Sequence, residues 1–143
     1  MHKLIRLIHT PKSEILLLAN TFILLNLVRL GLFLLPFYGL NKLLKNIAIS
    51  IWLKLGQREK IEVAKILHAV HTSSYYVFGN PKCLAKALTT QTLMKAFGYR
   101  CDLKIGVMNA DKKFEAHAWI EYQDRVIIGN LSNLHSFAPI ASI

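Results

Sequence analysis

At Gly98 the spacing of apolar residues changes, and that change limits the kinds of fold open to this chain. Before it, Val63, Ile66, Leu67 and Val70 recur at helical spacing within Glu59–Ser73, while Glu59, Lys60, Glu62 and Lys65 lie mostly off that stripe. After it, Cys101, Leu103, Ile105 and Val107 alternate with Arg100, Asp102, Lys104 and Gly106, the pattern of a strand with one apolar face. Helices first and strands afterwards predict an α+β domain. A length of 143 residues suits one such domain. At 53% hydrophobic, with 7 Gly and 4 Pro, the chain is excluded from the disordered, collagen-like and low-complexity classes. Its two cysteines make no disulfide framework, so a reducing compartment, the cytoplasm, is expected.

Charge and grease concentrate at the N-terminal side. Residues 1–60 hold nine basic and two acidic residues, a net +7; the remainder holds nine and six, a net +3. Ile15–Ala19 and Phe22–Leu35 form a nearly unbroken apolar stretch, interrupted by Asn20, Thr21, Asn26 and Arg29. Its length approaches the roughly 20 residues that cross a bilayer. A central arginine costs about 2.5–3.5 kcal/mol on insertion scales, which argues against a span. Lys3, Arg6 and Lys12 resemble the basic start of a signal peptide, but the apolar run is long and no small-residue cleavage pattern follows. The expectation is a long helix ending near Pro36 and Gly39, then a second helix over about Leu40–Leu55, both packed on the core. The same pair is a candidate docking face for a partner protein or a membrane surface. Nucleic acid is not expected, because the basic residues form no dense run interleaved with aromatics.

His68 and His71 are three apart on the Glu59–Ser73 helix, a spacing open to a metal, but no acidic or cysteine ligand accompanies them and a surface role is the stronger reading. No metal or cofactor is called for. Ser73–Gly79, with Tyr75, Tyr76 and Phe78, reads as a loop. Asn80 is a favoured helix cap and Pro81 suits the first helical position, so the next helix starts here, continues through Leu84, Ala87, Leu88, Leu93 and Met94, and ends at Phe97-Gly98. Cys83 then lies in the first turn, where unpaired N–H groups and the helix dipole favour a thiolate. It reads equally as a nucleophile or as a small packed residue. Cys101 points into the core.

Beyond a polar turn at Asn109–Lys113, Phe114–Tyr122 and Arg125–Asn130 read as two strands joined at Gln123-Asp124. With a two-residue hairpin loop Tyr122 pairs with Arg125, and counting back along both strands sets His117 opposite Asn130. An imidazole beside an amide, on a hairpin able to pack against the Cys83 helix, supplies the parts for covalent acyl transfer: nucleophile, base and a group that fixes the ring tautomer.

The words Cys83-Leu84-Ala85-Lys86-Ala87-Leu88, Leu93-Met94-Lys95-Ala96-Phe97-Gly98-Tyr99, Ile105-Gly106-Val107 and Ala116-His117-Ala118-Trp119-Ile120-Glu121, in this order, resemble the transglutaminase-like cysteine peptidases of lasso-peptide biosynthesis. The likeness spans about Pro81 to Asn130, and the greasy Glu14–Leu44 region resembles the family's N-terminal helices. It implies a transglutaminase-like, papain-like core with the catalytic helix on a small antiparallel sheet, over residues 59–143. Residues 1–58 would then form an apolar basic helical region packed on that core. By the resemblance Cys83 is the nucleophile and His117 the general base. The family's third member is an aspartate; here Asn130 is favoured, with Asp124, Glu121 and Asn80 as alternatives. The implied activity is removal of the leader from a ribosomally made precursor. The helical residues 1–80 resemble the split form of the family, so the implied partners are the precursor leader, a separate leader-recognition protein and the lasso cyclase. Two other classes stay open: a transglutaminase-like acyltransferase, and a non-enzymatic, membrane-associated or nucleic-acid-binding basic protein.

Overall fold

The helix that opens at Cys83 has almost no solvent face. In the computed structural model, which describes residues 12–51, 61–77, 83–110 and 113–142, the helices are α1 (Lys12–Leu34), α2 (Phe37–Ile51), α3 (Val63–Tyr76) and α4 (Cys83–Ala96). The other three helices and the sheet all pack on α4. Ala85, Ala87, Leu88, Leu93 and Met94 are buried, and so are Thr89, Thr90, Gln91 and Thr92. The three threonine hydroxyls donate to the carbonyls of Ala85, Lys86 and Leu88 one turn back, each at 2.8 Å, so their burial leaves no hydroxyl unpaired. α4 ends as expected at Gly98, with the Tyr99 amide donating to the Met94 carbonyl at 2.8 Å.

The strands are β1 (Asp102–Ala110), β2 (Lys113–Tyr122), β3 (Arg125–Ile128) and β4 (Ala138–Ser142), in an antiparallel sheet of order β3-β2-β1-β4. The α+β architecture is therefore the one expected: four helices and a small antiparallel sheet, consistent with a transglutaminase-like domain. Leu103, Ala118, Ile120 and Ile128 belong to the same apolar core as Leu25, Val28, Ile66, Val70 and Leu88. Tyr99 ties the sheet end to the helices by donating from its hydroxyl to the Ile61 carbonyl at 2.6 Å.

Three expectations are corrected. α3 runs to Tyr76, so Ser73–Tyr76 is helix and not loop. Nothing in that stretch breaks a helix, and Ser73 is buried against α1 with its hydroxyl on the Leu18 carbonyl at 3.4 Å. The strand from Arg125 stops at Ile128 instead of reaching Asn130. β4 was not anticipated; it carries Pro139, which its edge position allows because Pro has no N–H for a second neighbour. Phe78, Gly79, Asn80 and Pro81 lie outside the described residues.

Cys101 lies buried, as its place in the alternation requires. Burial pushes its thiol up from the ordinary 9.0 to about 11, with Lys95 pulling the other way and Asp102 adding to the rise. Because the folded value is the higher one, this group's contribution to stability is complete below the unfolded value and is lost as pH rises through about 11. Iodoacetamide applied to the native protein below pH 9.0 should therefore modify Cys83 and spare Cys101, read by peptide mass mapping. The fall in urea stability between 9.0 and about 11 should be smaller in Cys101→Val.

Candidate active site

Alternation along β2 divides the neighbours of His117 between two faces. Ala118 and Ile120 turn to the helices and join the core. His117, Trp119 and Glu121 alternate with them on the other face. β3 and β4 occupy opposite edges of the sheet, so the connection between them has to cross one face, and contacts with Phe137 identify which. The His117 and Phe137 rings are 5.6 Å apart, and a Cβ on Gly106 would fall 3.0 Å from the Phe137 Cβ. The end of the connection therefore lies over His117 and Gly106, on the face that also carries the buried Trp119.

The hairpin that carries His117 begins as the sequence predicts. Gln123 and Asp124 both have positive φ, 50° and 62°, as a tight two-residue hairpin turn requires, and Tyr122 pairs with Arg125. Glu121 pairs with Val126, but Ile120 then pairs with Ile128, so one extra residue bulges from β3. That slip removes the expected facing of His117 and Asn130. The residue brought to the ring is Gly129: its carbonyl lies 2.6 Å from His117 Nε2. A carbonyl oxygen can only accept, so Nε2 carries the proton and Nδ1 is the basic nitrogen of the neutral ring.

Gly129 can serve in this way because it has no side chain. Its φ is +80°, and a Cβ there would lie 2.6 Å from the Ala118 carbonyl oxygen. On the other side of the histidine, Gly106 is its direct partner across β1 and β2, and a Cβ there would meet the Trp119 ring at 2.7 and 2.8 Å. The outer edge of the Trp119 ring thus lies over Gly106, and the ring stacks on His117, with centroids 6.2 Å apart and planes 18° from parallel. The indole N–H donates to Glu121 Oε1 at 3.0 Å, and Glu121 also pairs with Lys104 at 3.4 Å.

Cys83 is the first described residue of α4, half-buried against the core. α4 packs on β2 from the side of Ala118 and Ile120. His117 is on the opposite face of that strand, so the structure does not bring the two together, and among the described residues no hydrogen bond joins them. Asn130 is exposed, one residue beyond the carbonyl that holds the ring. Asp124 sits in the hairpin turn, and the Glu121 carboxylate is engaged by Trp119 and Lys104. Asn80 lies outside the described residues. His68 and His71 are exposed on α3, with Thr72 Oγ1 3.5 Å from His68 Nε2. Among the described residues no three His, Cys, Asp or Glu side chains converge.

Over residues 33–142 the chain matches the transglutaminase-like superfamily. The chain belongs to that superfamily. Searches of curated proteins and of solved structures gave no match. The superfamily includes cysteine peptidases and acyltransferases, and its members are commonly catalytic in the manner of cysteine proteases. In this transglutaminase-like chain the matched region takes in α2 through β4 and leaves nearly all of α1 outside it.

The sequence reading missed the Gly129 carbonyl and Phe137. Gly129 did carry a signal, since a glycine inside a strand pattern marks a bulge or a close backbone approach. Gly106→Ala should lower stability by about 1–3 kcal/mol, because Trp119 has to leave its place over β1. Gly129→Ala should also destabilise, adding backbone strain to a clash. Urea unfolding of both variants checks the pair, and stability equal to the parent in either would contradict this packing.

Proposed function

We propose that this protein is a cysteine peptidase that removes the leader peptide from a ribosomally made lasso-peptide precursor. Membership of the superfamily and the orientation of the His117 ring carry the reading. With Nε2 committed to the Gly129 carbonyl, Nδ1 is the nitrogen that takes the Cys83 proton. The Cys83 sulfur then attacks the carbonyl at the leader–core junction, and the backbone N–H at the start of α4 helps to hold the oxyanion. His117 returns the proton to the leaving amine as the C–N bond breaks, leaving a thioester on Cys83. Water, activated by the same imidazole, hydrolyses that thioester and regenerates the thiol. In this structure the helix that carries Cys83 packs on the opposite face of β2 from His117, so the transfer requires the start of α4 to come around the strand to the ring.

Asn130 takes the third position by its place directly after the carbonyl that orients the ring, in an auxiliary role. The precursor reaches the site with a separate leader-recognition protein, and the released core passes to the cyclase. The words around Cys83 and His117 favour hydrolysis in this setting over acyl transfer to an amine; product masses distinguish the two.

Incubation with precursor and recognition protein should release leader. Cys83→Ala or His117→Ala should lower the rate by about 10³-fold or more, and Asn130→Ala by about tenfold, the usual effect of a group acting through another. Full activity in Cys83→Ala would refute the proposal. A loss in Asp124→Ala as large as in His117→Ala would overturn the assignment of the third residue.

A further inference from the structure

Between Glu14 and Glu59 the chain has no acidic residue, while Arg29, Lys42, Lys45, Lys54 and Arg58 are basic. In the same interval α1 is apolar on both sides. One side buries Leu17, Thr21, Leu24, Leu25 and Val28, packed against α3 and α4. The other carries Leu16, Ile23, Leu27, Leu30 and Leu34 at helical spacing, each 50–64% exposed. At the corner into α2, Phe33 is 87% exposed and Tyr38 82%. Tyr38, Lys42, Lys45 and Ile49 then follow at intervals of four, three and four residues, so one exposed face of α2 carries an aromatic ring, two ammonium groups and an aliphatic side chain. Lys45, Ile49 and Lys95 also line a groove floored by Ala48.

We propose that this α1–α2 surface docks on an anionic lipid membrane, with α1 lying along the surface. The exposed leucines and Phe33 enter the acyl boundary. Tyr38, Lys42 and Lys45 sit at the headgroups, where long lysine stems keep their charge among phosphates. Charge selects this occupant over a second copy, since a like surface would bring the exposed Lys42 and Lys45 against their own kind. The stretch Ile15–Leu34 is 20 residues long with a mean hydropathy of 2.0, enough to cross a bilayer. To span, however, α1 would have to withdraw the fully buried Thr21, Leu25 and Val28 from the core. The lipid contact needs neither Cys83 nor His117, so it is independent of the peptidase reading.

Flotation of the full chain with vesicles tests this. Vesicles of equal parts phosphatidylcholine and phosphatidylglycerol should carry the protein, and vesicles of phosphatidylcholine alone should not, with binding weakened by high salt. Lys42→Glu/Lys45→Glu should weaken binding about tenfold or more, and Phe33→Asp/Leu34→Asp should abolish it. Cys83→Ala should bind like the parent. Cys101 unreactive to iodoacetamide marks each variant as folded. The proposal is overturned by absence of flotation with the anionic vesicles, by equal binding of the lysine variant, or by resistance to carbonate extraction, which would mean a span. A lipid-independent dimer that Leu27→Asp dissociates, with no vesicle binding, would overturn it in favour of a second copy.

Discussion

The hydrogen bond from His117 Nε2 to the Gly129 carbonyl is the contact around which this site is built. It requires a bulge that brings Gly129 alongside β2, and a residue at 129 that tolerates a φ of +80° with no room for a Cβ. It also depends on the face that β2 presents. Trp119 can stack beside His117 only because Gly106 offers bare backbone to the edge of its ring, and Phe137 packs on His117 and Gly106. A ring held at one nitrogen by a carbonyl and on its flanks by two aromatic side chains has one free basic atom, and that is what a thiol needs from a partner.

The cysteine is placed by different means. α4 is the axis of the domain, buried nearly all round, with its threonines satisfied by its own backbone. Cys83, at the described start of that helix, is half-buried against the same core. The catalytic reading thus rests on two elements, the central helix and the β2–β3 hairpin, which present Cys83 and His117 on opposite faces of β2. The lipid surface proposed for α1 and α2 uses other elements, and its α1 residues from Leu16 to Leu30 precede residue 33, where the superfamily match begins.

Much of this was legible because it follows from local rules. The change of period at Gly98, the end of α4 there, the two-residue turn at Gln123-Asp124 and the inward Cys101 all follow from pattern and turn chemistry. The helix over Ser73–Tyr76 was hidden because its serines and tyrosines resemble loop composition, whereas the burial of Ser73 against Leu18 is a long-range contact. The pairing of His117 with Asn130 failed by a single residue. A count from the turn assumes an unbroken ladder, and a bulge leaves no mark in alternation beyond a glycine at the end of the strand. A ring held by a backbone carbonyl is also invisible to a search for side-chain partners, which is why Asn130 was singled out and Gly129 was not.

The tautomer of His117 tests the account most directly. In protein labelled with nitrogen-15 and held at alkaline pH, where an imidazole is neutral, NMR correlation spectra distinguish the protonated ring nitrogen from the bare one. The structure predicts the proton on Nε2 and a bare Nδ1. A proton found on Nδ1 would mean that the Gly129 carbonyl does not hold the ring, and the site as described here would be wrong.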